Sequence, residues 1–468
     1  MNIELQFLGA AQNVTGSRYL VKANGKQILV ECGLNQERQY RERDWVEFPV
    51  PPASIDTVLI THSHLDHCGM LPKLVRDGCR CPIYCTQATR EIAEIVLLDS
   101  AQIQMEDAEY KKKRHKKEGR QGPYPELPLY TTEDVRAALP FFSAVSYRET
   151  VRLGDGIEVV FRDAGHILGS SMIMLRIRQS NEQRNIIFTG DIGREESPIL
   201  RDPSTFEKAD YIVIESTYGN RLHENREEAI MQLIQVINDT DRANGNIVIP
   251  TFAIERAQDI LYHLNTLLRS NSIPHLAIFL DSPMAVRVTE VFRRHPELFD
   301  KEMRQLVFSD QSFFNLSKLY FVDTVEASKA INHIKGTVVI MAGSGMCTGG
   351  RIKHHLVNNI TRKECSILFL GYQAQGTLGR LIVDGATSVR ILGNEYPVRA
   401  KIVQIDGFSS HADRDGLMRW LREFGHQPRK VFVTHGEPEA AEALAGDIWS
   451  ELGLQAIVPH YLDKVSLD

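Results

Sequence analysis

Three histidines and an aspartate stand together in the segment Thr61-His-Ser-His-Leu-Asp-His67. Imidazole nitrogen and carboxylate oxygen are the donors that borderline cations such as Zn²⁺ take, so the chemistry on offer is metal binding. The apolar run Val58-Leu-Ile60 just before it reads as a strand. That puts these side chains at the carboxyl edge of a sheet, where open α/β sheets carry their functional groups. His62 and His64 are two apart and face the same way in an extended loop. Asp66 and His67 open the next helix and present a second, displaced pair of ligands. One segment can thus supply half of two adjacent sites. A lone histidine among apolar residues is usually core packing; three with a carboxylate at this spacing reverse that expectation.

Three further junctions carry one candidate ligand each. His166, in Asp163-Ala-Gly-His166, follows the alternating strand Ile157 to Phe161. Asp191, in Thr189-Gly-Asp191-Ile-Gly, follows Ile186-Ile-Phe188, and His435 follows Lys430-Val-Phe-Val433. A glycine beside each lets the backbone turn and approach a metal closely.

The elements that must position these residues alternate along the chain. Tyr211 to Ile214, Ile247 to Ile249, Ala277 to Leu280, Val338 to Ile340 and Ile367 to Leu370 also read as buried strands. Between them lie stretches of helical period, with apolar faces at Ile230, Leu233, Ile234 and Ile237 and at Ile260, Leu261, Leu264 and Leu268. The fold class is α/β. A basic run, Lys111 to Lys117, ends a long helical pattern that starts near Thr89 and precedes a Gly/Pro-rich connector from Gly119 to Pro128. It reads as a solvated helix end or as a rim that meets phosphate.

The 468 residues suffice for two or three domains, and 43% hydrophobic with 24% charged residues is ordinary globular composition. The net charge of −6 gives no broad basic surface for non-specific nucleic-acid binding, although metal cations would not be counted in it. No secretory leader and no membrane-spanning run are visible, and the seven scattered cysteines suggest reduced thiols in a cytoplasm. The cluster Cys79, Cys81 and Cys85 lacks the spacing of a zinc knuckle.

The repeated pattern of ligands after strands resembles the metallo-β-lactamase superfamily over essentially the whole chain. By that resemblance His62, His64 and His166 hold one zinc, Asp66, His67 and His435 hold the other, and Asp191 bridges them; Asp66 is also expected to act in catalysis. Glu31, after a strand where the family usually has aspartate, is expected to orient a ligand from behind. Ile214-Glu215-Ser-Thr-Tyr-Gly219, Gly407-Phe-Ser-Ser-His411-Ala-Asp413 and Thr434-His435-Gly-Glu437 look like three motifs of the β-CASP subgroup, which processes nucleic acid. The resemblance implies an αββα sandwich with an inserted α/β domain, divided as residues 1–217, 218–404 and 405–468.

It also implies a ribonuclease in which two zinc ions activate water against the phosphodiester, leaving 5′-phosphate and 3′-hydroxyl. His411 is the expected proton donor to the departing sugar oxygen, held and kept protonated by Glu215. The glycine-rich loop with Ser344, Gly345, Gly349, Gly350 and Arg351 is expected to bind RNA phosphate. Single-stranded RNA is the expected partner, with no membrane and no RNA-binding module appended at either end. The rivals are a DNA-processing enzyme of the same subgroup, which commonly lacks the histidine found here as His435, a non-catalytic RNA-binding scaffold, which would have lost ligands, and a small-molecule hydrolase, against which the inserted domain argues.

Overall fold

Most strands of the chain are short continuous apolar runs with two faces to bury, and the computed structural model, which describes residues 1–119 and 125–468, shows where each face goes. Part of the Gly119 to Pro128 connector, residues 120–124, lies outside the described residues. The chain divides into two units: Met1–Glu195, Asp202–Leu222 and His411–Asp468 form one, and Glu196–Arg201 with His223–Ser410 form the other.

Among the described residues the first unit holds two seven-stranded sheets. One begins as an antiparallel meander, with Ile3–Phe7 between Lys464–Ser466 and Tyr19–Ala23, followed by Lys26–Val30. It continues in parallel through Thr57–Leu59, Ile83–Thr86 and Phe142–Val145. The other runs antiparallel through Thr150–Gly154, Ile157–Asp163, Ser171–Gln179 and Glu182–Phe188. It then becomes parallel through Tyr211–Glu215, Lys430–Thr434 and Ala456–Ile457. Phe7, Val21 and Val30 of the first sheet pack with Phe161, Leu175, Phe188 and Phe432 of the second. This face-to-face contact is the layer that alternation builds.

The outer faces carry helices. Leu71 and Leu74 of Leu71–Arg76, Leu97 of Gln87–Glu118 and Val135 of Thr132–Ala138 cover Leu29, Val58 and Ile60. Leu417 and Leu421 of Arg414–Arg422, with Leu444 and Ile448 of Pro438–Leu452, cover Ile212, Val431 and Val433. The result is an αββα sandwich. Local alternation of strand and helix did not announce how much of each sheet is antiparallel, because strand pairing is a long-range choice.

The second unit is α/β. Its six-stranded parallel sheet has the order Leu319–Phe321, Ala277–Asp281, Val338–Ala342, Ile247–Pro250, Ser366–Leu370, Lys401–Ile405. Helix Arg226–Arg242 buries Ala229, Leu233, Val236, Ile237 and Thr240, whereas Ile230 and Ile234 are only partly buried. The covered stripe is therefore rotated from the one that the apolar residues alone suggest, since small Ala229 and back-bonded Thr240 can approach the sheet. Helix Gln87–Glu118 buries residues as far as Ala108, so the basic run Lys111 to Lys117 stands on its exposed last turns. No helix among the described residues is long and apolar enough to cross a membrane.

Candidate metal centre

Strands Ile157–Asp163, Glu182–Phe188, Tyr211–Glu215 and Lys430–Thr434 run in one direction, so their carboxyl ends share one edge of the sandwich. The loop after Thr57–Leu59 reaches the same place: Ser171 donates its backbone N–H to the Thr61 carbonyl at 2.8 Å. His62, His64, Asp66, His67, His166, Asp191 and His435 all converge there. His62, His67, His166, Asp191 and His435 are buried, and His64 and Asp66 partly so.

The two carboxylate oxygens of Asp191 face different groups. Oδ2 lies 3.4 Å from His62 Nε2 and 3.4 Å from His166 Nε2, and His64 Nδ1 lies 3.1 Å and 3.3 Å from those two nitrogens. Oδ1 lies 3.4 Å from His67 Nε2 and 3.7 Å from His435 Nε2, and Asp66 Oδ2 lies 3.9 Å and 3.6 Å from the same pair. A tetrahedral ion with bonds of about 2.0–2.1 Å spaces its ligands by about 3.4 Å. His67 Nε2, His435 Nε2 and Asp191 Oδ1 are buried with no hydrogen-bond partner. Leaving three such atoms unpaired is costly unless a cation meets them. The donors are imidazole nitrogen and carboxylate oxygen throughout, so the residues fit a pair of metal ions of the zinc type.

The far side of three of these rings is tied down. His67 Nδ1 donates to Glu31 at 2.7 Å, and Thr61, whose hydroxyl donates to the same carboxylate, lies 3.0 Å from His62 Nδ1. His435 Nδ1 meets the Thr217 hydroxyl at 3.1 Å. Such contacts fix ring orientation and turn the remaining nitrogen inwards. Thr61 and Thr217 escaped the sequence reading because nothing in a threonine's local spacing tells which distant ring it faces.

Electrostatics divide the cluster. Burial pushes His62 down to about 3 and His64 to about 4, and drives His166 well below the usual histidine range, so these rings are neutral and can donate lone pairs. Burial opposes charge on His67 and His435 too, but Asp191 and neighbouring carboxylates win; His67 is held well above its ordinary value and His435 rises to about 9. A metal entering there displaces protons.

His411 sits beside this cluster, partly exposed, with its ring centroid 4.4 Å from that of His166. Its backbone is pinned to the Asp191 loop, where Ala412 N–H donates to the Ile192 carbonyl at 2.8 Å. His411 Nδ1 lies 3.2 Å from Glu215 Oε2, and Glu215 in turn accepts the Ile192 N–H. Burial lowers the His411 pKa, but the charges of Glu215 and Asp191 outweigh it and the net shift is upward.

The matches to known families fall on these same regions. A metallo-beta-lactamase superfamily domain matches residues 20–216, a Beta-Casp domain residues 257–382, and a Zn-dependent metallo-hydrolase RNA specificity domain residues 395–459. Ribonuclease TTHA0252 of Thermus thermophilus is 39% identical over 93% of this chain and 94% of its own length. The chain belongs to the β-CASP group of the metallo-β-lactamase superfamily. Other β-CASP relatives include the transcription termination factor FttA of Methanocaldococcus jannaschii, 31% identical over 99% of this chain and 71% of the relative. A solved protein of unknown function from Enterococcus faecalis shares the fold, with a TM-score of 0.58, 11% identity and full coverage of both chains.

The remaining predicted residues of this β-CASP chain lie in the second unit. Ser344, Gly345, Gly349, Gly350 and Arg351 form the loop after strand Val338–Ala342. Arg351 is turned into the fold, its guanidinium donating to Asp281 and to the Val322 and Asp323 carbonyls. Asp281 is fully buried and also accepts from Ser328 and from His355 Nε2, at 2.6 Å.

Proposed function

We propose that this protein is a zinc-dependent ribonuclease that hydrolyses single-stranded RNA and leaves 5′-phosphate and 3′-hydroxyl ends. The observation that carries the reading is the divided Asp191 carboxylate, each oxygen 3.4 Å from a buried histidine nitrogen of a different group. His62, His64, His166 and Asp191 Oδ2 would hold one ion, and Asp66, His67, His435 and Asp191 Oδ1 the other. Two such ions supply Lewis-acid charge for the phosphate oxygens and lower the pKa of water from 15.7 to about 7.

The chain's own residues do the rest. Glu31 and Thr61 hold His67 and His62 in register. His411, kept cationic by Glu215, spends Nδ1 on that carboxylate and offers its other nitrogen as proton donor to the departing sugar oxygen. Asp66 keeps a carboxylate in the site at neutral pH: burial raises its pKa, but His67 and His435 pull it below the usual aspartate range. In the second unit Thr348 and Gly350 are exposed residues whose N–H groups make no hydrogen bond among the described residues, which suits them to an RNA phosphate, with Ser344 beside them. Arg351 braces this loop through Asp281. The relatives named as a ribonuclease and a transcription termination factor support RNA as substrate. The seven free, buried cysteines suit a reducing cytoplasm.

Metal analysis of protein purified without chelator, paired with cleavage of matched end-labelled RNA and DNA oligonucleotides at fixed salt, tests the reading. The expected result is two zinc ions per chain and faster RNA turnover. Active protein with no metal, or equal or faster cutting of DNA, rejects it.

A further inference from the structure

Phe252 occupies a position that burial does not explain. It follows strand Ile247–Pro250, and it is 46% exposed while its neighbours Thr251, Ala253 and Ile254 are buried. The loop that bears it is fixed: Thr251 N–H donates to the Ala342 carbonyl at 3.0 Å, and Gln258 Nε2 donates to the Ala253 carbonyl at 3.2 Å. A large apolar ring is therefore presented to solvent by rigid backbone.

The ring's inner side rests on Gly345. A Cβ placed on that glycine would meet three consecutive ring carbons of Phe252, Cγ at 3.1 Å and Cδ2 and Cε2 at 2.8 Å each. Near-equal distances to three adjacent ring atoms arise only when the approach is onto the face. The phenyl group thus lies flat on the glycine backbone, and Gly345 is buried beneath it. Gly345 is held from behind, its carbonyl accepting from Gln373 Nε2 at 3.1 Å. No other ring stacks on Phe252 among the described residues.

Topology says what such a ring is placed to meet. Strands Val338–Ala342 and Ile247–Pro250 are neighbours, yet the chain leaves them in opposite directions along the sheet, to Ser366–Leu370 and to Ala277–Asp281. Crossovers of one hand then set their following helices on opposite faces, and Ile352–Asn359 indeed packs on the face of Val248, Ile340 and Phe369. Between two such strands the carboxyl ends open a crevice, the place where parallel sheets bind ligands. The two loops that flank it carry Phe252 and the segment from Ser344 to Gly350.

We propose that Phe252 is a stacking platform for one nucleobase of single-stranded RNA, whose phosphate is held by the adjoining 344–350 loop. The proposal rests on the ribonuclease reading. An aromatic face beside backbone N–H donors matches the two parts of a nucleotide, and because every base has a π-face such a platform is sequence-tolerant. Gly345 is required by this arrangement, since any side chain there would lift the ring.

The test is stopped-flow mixing with single-stranded RNA carrying 2-aminopurine, which reads binding before cleavage. Wild type and Phe252→Tyr should quench the probe alike. Phe252→Leu, which keeps apolar packing but not the ring, should bind about tenfold more weakly, the scale of one lost base–aromatic stack, and quench less. Inorganic polyphosphate, which has no bases, should bind both variants as it binds wild type. Phe252→Trp gives an independent reading through quenching of the new indole by unlabelled RNA. Wild-type affinity and quenching in Phe252→Leu, or an indole at 252 that RNA leaves unchanged, overturns the platform while leaving the ribonuclease intact. Wild type that binds no RNA at all removes both.

Discussion

The two units each place chemistry at the carboxyl ends of parallel strands, and they do it with opposite materials. The sandwich edge gathers seven ionisable side chains and leaves Asp191 Oδ1, His67 Nε2 and His435 Nε2 buried and unpartnered. The edge of the six-stranded sheet offers backbone and an exposed aromatic ring, and one of its buried carboxylates, Asp281, is satisfied by Ser328, Arg351 and His355. One edge aims unpaired donors at a point that a cation can fill; at the other, Asp281 finds its partners within the fold. Reactive centres require the first condition, because unpaired donors aimed at a common point are what hold an ion. Recognition of a repeating polymer suits the second, since neutral N–H groups and a ring discriminate little among sequences.

Removing the shared carboxylate should break the contrast most severely. Asp191→Ala takes one donor from each group, so both metal content and cleavage should collapse, by about 10⁴-fold or more in rate. Metal analysis and single-turnover cleavage on the same preparation check this, and a variant that retains both ions would show that Asp191 is not the bridge. Because the second unit has its own core, its melting should stay where it was.

A smaller effect separates proton transfer from metal binding at the same edge. His411→Ala should cut cleavage by about 10²–10⁴-fold, the usual worth of a general acid, with metal content near that of wild type. Glu215→Gln keeps an acceptor for His411 but removes the charge that keeps it cationic, so a milder loss of about tenfold is expected. Loss of an ion from His411→Ala would make it a ligand and redraw the site.

The mildest test concerns the other edge. Burial pushes the Asp281 carboxyl up, but hydrogen bonds from His355, Ser328 and Arg351 overcome this and hold it below the usual aspartate range. A depressed folded pKa stabilises the second unit above the unfolded value near 3.9, and that stabilisation disappears as pH falls through the folded value. Asp281→Asn should lower the melting temperature of the second unit at pH 7, by an amount that shrinks towards acid pH, while metal content holds. Calorimetry across that pH range reads the effect; a variant as stable as wild type at pH 7 would mean that the network contributes nothing.

The same contrast governs what the sequence revealed. Donors of the metal edge were legible because four of them occupy six consecutive positions and the others each follow a strand beside a glycine. The residues behind them were not. Thr217 meets His435 across 218 positions, and Thr61 meets Glu31 across 30, distances at which local spacing carries no information. Arg351 read as a phosphate-binding residue of the glycine-rich loop, and nothing local showed that Asp281, 70 positions away, holds its guanidinium. The sequence assigned Phe252 no role, and only the glycine beneath it revealed a presented ring.

The interruption of the sandwich by residues 223–410 has a consequence for how it is made on the ribosome. Strand Tyr211–Glu215 lies between Glu182–Phe188 and Lys430–Thr434, so one side of it stays an open edge until the later strand is translated. At about 5–20 residues per second that interval lasts roughly 10–40 s. The donors around Asp191 Oδ2 have all emerged once Asp191 has, whereas those around Oδ1 wait for His435. The nascent chain therefore matures its two donor groups in order, and in the meantime an exposed strand must be kept from pairing with a neighbouring copy.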